Sequence, residues 1–314
     1  MRYWILATTV TLSSFAIGLA IASAIGAALV PFAVHRLARR SSGNRASLLL
    51  WLRLFPVAGA LAFSAALVLP TFVYYEPANT DEPLTATMAA IAAAGLIVIL
   101  RAGVRIAQTW RATERLARRW KSSGHRLDDM APGLSAFAVD EAFPTVAVVG
   151  CFRPVLFLSR RVLAECTSSE ISAMVSHERA HIASRDNLKR LLVRACPRLP
   201  FSEMLESAWS GAAEEAADAA AAAGNTDRRL NLANALIRLA RLASPPSLPA
   251  GVSAFYPGGS IENRVRLLLD PPASAAPARG SLLVVALAAV AGVAFVASAP
   301  AIHAAMEALV RLVP

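Results

Sequence analysis

The sequence predicts an α-helical membrane protein of about four spans, with an α+β domain inserted between the third span and the fourth. Composition is the first reason. Of 314 residues, 56% are hydrophobic and 17% charged, with a mean hydropathy of +0.51, whereas a soluble domain carries about 25% charged residues. The second reason is the gathering of apolar residues into stretches near 3–34, 48–75, 88–106 and 281–299, each to be set against the ~20 residues that cross ~30 Å of hydrocarbon as a helix. The third is the interval 109–279, which has a soluble composition and is long enough for a core of its own. Three cysteines make no disulfide framework, and so high an apolar content excludes a disordered chain.

The first stretch has no charge from Tyr3 to Val34. Arg2 before it and Ala22-Ser23-Ala24 within it resemble a cleaved signal peptide, but the apolar run continues well past that site, so a span is expected. The second stretch is interrupted by Arg53, Pro56 and Pro70. The third is short, and Ala102 to Ile106 extend it if Arg101 and Arg105 snorkel towards headgroups. The fourth, 281–299, is uncharged, and only a short tail follows it.

Charge between the spans predicts their orientation. Arg36, Arg39, Arg40 and Arg45 follow the first; Glu76, Asp81 and Glu82 follow the second; Arg111, Arg115, Arg118, Arg119, Lys121 and Arg126 follow the third. Basic connections stay in the cytoplasm, so the inserted domain is expected there, with both termini outside. Much of the net charge of +10 is then topological, and it favours contact with anionic lipid over nucleic acid, which is not expected as a partner. Cys151, Cys166 and Cys196 should be reduced thiols.

Within 109–279, a basic helix from Trp110 to Lys121 leads away from the membrane. Residues 144–158 read as two short strands joined near Gly150 to Arg153. Pro154 cannot donate to a ladder, which predicts an edge strand, and such an edge is able to align an extended substrate by backbone pairing. Thr167-Ser-Ser-Glu170 is a capping box that starts a helix running through residue 181. Further helices are expected over 203–223, ending at Gly224 and Asn225, and over 228–242, before Pro245-Pro246.

On the capped helix stands His177-Glu178-Arg179-Ala180-His181. Residues four apart share a helical face, so both imidazoles can reach one zinc ion while Glu178 projects beside an open coordination position as general base. Catalytic zinc usually has three protein ligands. The metzincin pattern is excluded, because Ser184 and Asn187 stand where it needs glycine and histidine. His35, His125 and His303 lie near or within membrane segments, which leaves a carboxylate. Glu214, Glu215 and Asp218 offer one on a later alanine-rich helix, where Glu214 and Asp218 share a face, so one can bind zinc while the other holds a ligand histidine.

The sequence resembles the BlaR/MecR family of integral-membrane metallopeptidases and, more distantly, the prenyl-protein and HtpX-type membrane peptidases. The resemblance rests on Arg153-Pro-Val-Leu-Phe-Leu-Ser159, Ser176-His-Glu-Arg-Ala-His-Ile-Ala-Ser-Arg-Asp-Asn-Leu188, Glu214-Glu-Ala-Ala-Asp218 and Ser260-Ile-Glu-Asn-Arg-Val-Arg-Leu-Leu268. It implies a gluzincin-type zinc peptidase domain with Glu214 as the third ligand beside His177 and His181. Asp218 and Asp186 would support the ligands. It implies as well a protein substrate, a transcriptional repressor or a membrane-associated regulator. Tyr256-Pro257 occupies a place where the distant relatives often have His-Pro, so Tyr256 is a candidate oxyanion donor or a core tyrosine. In the sensor-transducers an extracellular penicillin-binding domain follows the last span; only a few residues follow it here, so beta-lactam sensing by an acylated serine is not expected. Two other readings compete: a membrane signal-transducing scaffold whose zinc site is structural or degenerate, and a small transporter, which the absence of a clear inverted repeat disfavours.

Overall fold

A computed structural model describes residues 2–38, 40–77, 84–127, 130–141, 145–242, 252–254, 261–271 and 304. Among these, three helical segments are long and apolar enough to cross a membrane: Arg2–Leu37, Ser42–Tyr75 and Ala86–Ser123. The stretch 281–299, expected as a fourth span, lies outside the described residues.

The first segment is helix α1 (Arg2–Leu37), whose Ile21, Ile25, Leu29 and Phe32 are exposed, as a lipid-facing stripe at helical spacing requires. The second comprises α2 (Ser42–Phe63), a π-helical turn (Ser64–Val68) and α3 (Leu69–Tyr75). Pro70 has no N–H and its ring crowds the carbonyl four residues back. That carbonyl, of Ala66, lies in the wide π turn, which relieves the clash without ending the helix. The third segment, α4 (Ala86–Ser123), is capped by Thr85, whose hydroxyl accepts from the Met88 N–H. Alpha-1 and α4 approach closely at Gly95, where an added Cβ would stand 2.6 Å from the Leu12 carbonyl oxygen. Small residues permit such contact where lipid supplies no hydrophobic drive between helices.

The expected third span and basic helix prove to be one element of 38 residues. No glycine turn or proline separates them, and the far end of α4 packs on a sheet. That sheet has five strands, β1 (His125–Arg126), β2 (Ala136–Val139), β3 (Val146–Val149), β4 (Val155–Ser159) and β5 (Val252–Ala254), in the order β1-β2-β4-β3-β5. Trp120 of α4 packs with Val139, Ala147, Val149, Val155 and Phe157 on one face. The other face, with Val146, Val148, Leu156 and Leu158, meets the helices of the metal centre.

The two strands expected over 144–158 are β3 and β4, an antiparallel pair. The edge position expected for them is corrected: β4 is paired on both sides, parallel to β2 and antiparallel to β3, and β3 also pairs with β5. Pro154 does not prevent this because it precedes β4 and takes no place in the ladder.

After the short helix α5 (Arg160–Glu165) come α6 (Ser168–Ala183), α7 (Asp186–Ala195), α8 (Ser202–Ala222), α9 (Thr226–Leu242) and α10 (Ile261–Leu269). Alpha-8 lies along α2, with Phe201, Leu205, Trp209 and Ala212 packed on Ala46 and Leu49. Two arginines of the spans tie this layer down. Arg53, 1% exposed, donates to Glu206 at 2.9 Å and to the Pro197 carbonyl at 3.1 Å, and Arg105 donates to the Cys196 carbonyl at 2.8 Å.

Candidate metal centre

Alpha-6 begins as its sequence requires. Thr167 accepts from the Glu170 N–H, and the Glu170 carboxylate accepts from the Thr167 N–H at 2.7 Å. The reciprocal cap fixes the helix start, and the 3.6-residue period then turns Met174, His177, Glu178 and His181 inward, all of them buried. Alpha-6 ends at Ser184, and Arg185 takes a left-handed conformation (φ 54°) that redirects the chain into α7. Asp186, the first residue of α7, thereby comes back against His181.

Three potential ligands converge. The Nε2 atoms of His177 and His181 are 3.0 Å apart, His177 Nε2 is 3.4 Å from Glu214 Oε2, and His181 Nε2 is 3.6 Å from Glu214 Oε1. A four-coordinate ion with bonds of ~2.0–2.1 Å needs ligand atoms about 3.3 Å apart, so the triangle fits such an ion. His177, His181 and Glu214 are the one His/Cys/Asp/Glu group able to hold a metal among the described residues. Both carboxylate oxygens of Glu178 are buried beside the triangle without a hydrogen-bond partner among the described residues, and a buried polar group so placed calls for one. Of the acids on α8, Glu214 is fully buried at the triangle, whereas Glu215 turns to Arg45 and Asn263.

The family model of the BlaR1 peptidase M56 matches residues 14–268. The chain belongs to the M56 peptidase family. It is therefore a membrane protein of a metallopeptidase family, whose reaction is on proteins. Comparison with curated proteins gives no match.

The M56 centre has a second ring of charge. His181 Nδ1 is 2.7 Å from Asp186 Oδ2, and Lys189 bonds the other oxygen of that carboxylate at 2.9 Å. His177 Nδ1 is 2.9 Å from Asp218 Oδ1. Each imidazole is thus held through its Nδ1 side by a carboxylate, which orients Nε2 towards the centre. Arg264 on α10 reaches Asp218 and also Glu214 at 3.2 Å, while Arg190 on α7 reaches Glu214 at 3.2 Å.

These contacts set the titration of the metal-free site. Burial opposes charging of His181, but its bonds to Asp186 and Glu214 outweigh burial and push the pKa up to about 10. His177 is raised in the same way, against burial, by Asp218 and Glu214. Burial alone would raise Glu214, yet the two histidines hold its carboxyl well below the ordinary range. Asp186 and Asp218 are lowered by His181 and by Arg264 with His177 respectively, again against burial. Glu178 moves the other way, raised by burial.

The structure thus brings together His177, Glu178, His181, Glu214, Asp218 and Asp186. Tyr256 lies outside the described residues. Sequence reasoning missed Arg190 and Arg264 as parts of the site. For Arg264 a signal existed: it falls four residues before Leu268 in a short helix, and both are buried, so a charge stood on an inward face and needed a partner.

Proposed function

We propose that this M56 protein is a zinc-dependent endopeptidase that cuts a peptide bond in a cytoplasmic or membrane-associated protein, a transcriptional repressor being the substrate its resemblance favours. The observation that carries the reading is Glu178: a buried carboxylate whose two oxygens have no hydrogen-bond partner among the described residues, electrostatically coupled to the His177, His181 and Glu214 triangle.

Zinc bound by His177, His181 and Glu214 would supply a water with its pKa brought towards ~7 and polarise the scissile carbonyl. Glu178 takes the proton of the attacking water and returns it to the leaving nitrogen. Asp218 and Asp186 keep the two imidazoles aimed, and Arg264 and Arg190 offset the charge of Glu214. Tyr256, before Pro257, is a candidate oxyanion donor from the resemblance alone.

The domain plan that supports this function has three N-terminal spans within 1–108, the peptidase domain over 109–279, and a fourth span over 281–299. The basic first and third connections orient the peptidase domain towards the cytoplasm and both termini outward. Intracellular proteins are then its substrates.

Glu178→Gln tests the reading, since it keeps the shape of the side chain and removes the base. Proteins shortened in cells carrying the wild-type chain should stay intact with Glu178→Gln, with cleavage slowed about 10²–10⁴-fold, and chelation should abolish the wild-type activity. Equal cleavage by both chains refutes the proposal.

A further inference from the structure

We propose that the groove between α4 and the β3–β4 turn binds the phosphodiester headgroup of an anionic phospholipid from the leaflet where α4 leaves the membrane. This groove lies on the α4 side of the sheet, away from the metal centre. Its volume is about 630 Å³, and Trp110, Arg111, Arg118 and Lys121 line it from α4 while Phe152 and Arg153 line it from the turn.

Charge is the first argument. Four cations, Arg111, Arg118, Lys121 and Arg153, face one carboxylate, that of Glu114. Among the described residues, no hydrogen bond or ion pair to the chain engages the side chains of Arg111, Lys121 or Arg153. A cationic groove with uncommitted donors recognises phosphate oxygens.

Position selects a lipid as the source of the phosphate. Alpha-4 is continuous with a span, and the apolar run ends at Ile106. With a rise of 1.5 Å per residue, Trp110 and Arg111 stand about 6–8 Å beyond that point, within the ~5–8 Å headgroup layer on each side of the hydrocarbon. Arg118 and Lys121 stand higher and add field more than contact. Trp110 and Phe152 form a ring pair at 5.6 Å, and Phe152 is 68% exposed. An aromatic pair at this depth is the usual companion of headgroups.

The turn that presents Phe152 is held rigidly. Gly150 adopts φ +107°, where a Cβ would come 2.8 Å from the Arg153 carbonyl oxygen, so only glycine closes the turn without strain. Asn187 donates from its amide nitrogen to the Val148 carbonyl at 3.0 Å and the Gly150 carbonyl at 3.1 Å. The exposed phenylalanine is therefore fixed beside α4 at the level of the headgroups.

The test uses the full chain in detergent micelles carrying dioleoyl phosphatidylglycerol or dioleoyl phosphatidylcholine, with retained lipid counted by native mass spectrometry. Wild type should retain phosphatidylglycerol preferentially, and Arg111→Gln with Arg153→Gln should weaken that retention about fivefold for each cation removed. Phe152→Glu, at an exposed position where folding is not in question, should abolish the preference with every cation in place. Arg161→Gln with Arg228→Gln, outside the groove, should leave the preference intact. Equal retention of the two lipids by wild type, an unchanged preference in Phe152→Glu, or displacement of phosphatidylglycerol by equimolar inorganic phosphate overturns the proposal, the last by assigning the groove to free phosphate.

Discussion

Arg264 holds Asp218 by two hydrogen bonds, Nε to Oδ2 at 2.8 Å and Nη2 to Oδ1 at 2.7 Å, across 46 residues of sequence. Asp218 in turn stands against His177, so a residue that touches no candidate ligand nitrogen still orients one. Losing such an outer partner typically costs 10–100-fold in metal affinity. Arg264→Gln is expected to lower zinc affinity by about that factor, and Arg264→Lys by less, because lysine keeps the charge but not the fork. Competition with a chromogenic chelator measures both; equal affinity in all three proteins would show that Arg264 serves packing alone.

Metal must displace protons here. With the pKa of His181 pushed up to about 10 and that of His177 raised as well, both imidazoles are charged in the metal-free protein at pH 6, and both must be neutral to bind. Zinc binding at that pH is expected to release about two protons and to tighten as pH rises, which calorimetry in buffers of different ionisation enthalpy reads directly.

In the metal-free protein the same His181 makes an opposite contribution. Its raised pKa gives stability that is complete below about pH 6.5 and is lost as pH rises through about 10. Glu214, lowered by its histidines, contributes above its ordinary pKa and ceases to do so as pH falls through the depressed value. Chelated protein should therefore lose thermal stability between pH 6.5 and 10 more steeply than zinc-loaded protein; parallel profiles would count against these assignments.

Arg53 carries a charge into α2 and spends it on α8 through Glu206, and on the Pro197 carbonyl. Removing Glu206 leaves a buried guanidinium short of a partner, since Arg53 is 1% exposed. Glu206→Ala is expected to destabilise the protein by about 1–3 kcal/mol, seen as a lowered unfolding midpoint in detergent. Arg53→Leu with Glu206→Leu should recover part of that loss, because no lone charge remains buried.

Gly95 is where α1 and α4 meet. A methyl group there collides with the Leu12 carbonyl oxygen at 2.6 Å, and backbone cannot step aside as a flexible side chain can. Gly95→Ala is expected to cost about 1–3 kcal/mol, the range for overpacking, whereas Gly103→Ala, with open space around it, should be neutral or slightly stabilising. Thermal unfolding of the two variants in the same detergent separates them.

What was legible in the sequence was what a single element encodes. The apolar runs located three helices long and apolar enough to cross a membrane, the capping box placed the start of α6, and i, i+4 spacing put His177 and His181 on one face. Each depends on periodicity or on a contact a few residues long. The edge position expected for the 144–158 strands was wrong for the complementary reason: the partners of β4 are β2 and β3, and the cover on β3 is β5, about a hundred residues away. No local pattern reports such a neighbour.

The sequence by itself determined that this is a membrane protein carrying a His-Glu-x-x-His helix, because hydropathy and helical pitch act through neighbouring residues. The resemblance singled out Glu214; tertiary structure decided how Glu214 faces the histidines while Glu215 turns to Arg45, that Arg190 and Arg264 complete the charge around the centre, and that the layer bearing it is bolted to α2 through Arg53. Two adjacent glutamates have the same local propensities. The packing of α8 against α6 on one side and α2 on the other puts Glu214 beside His177 and His181 and Glu215 beside Arg45.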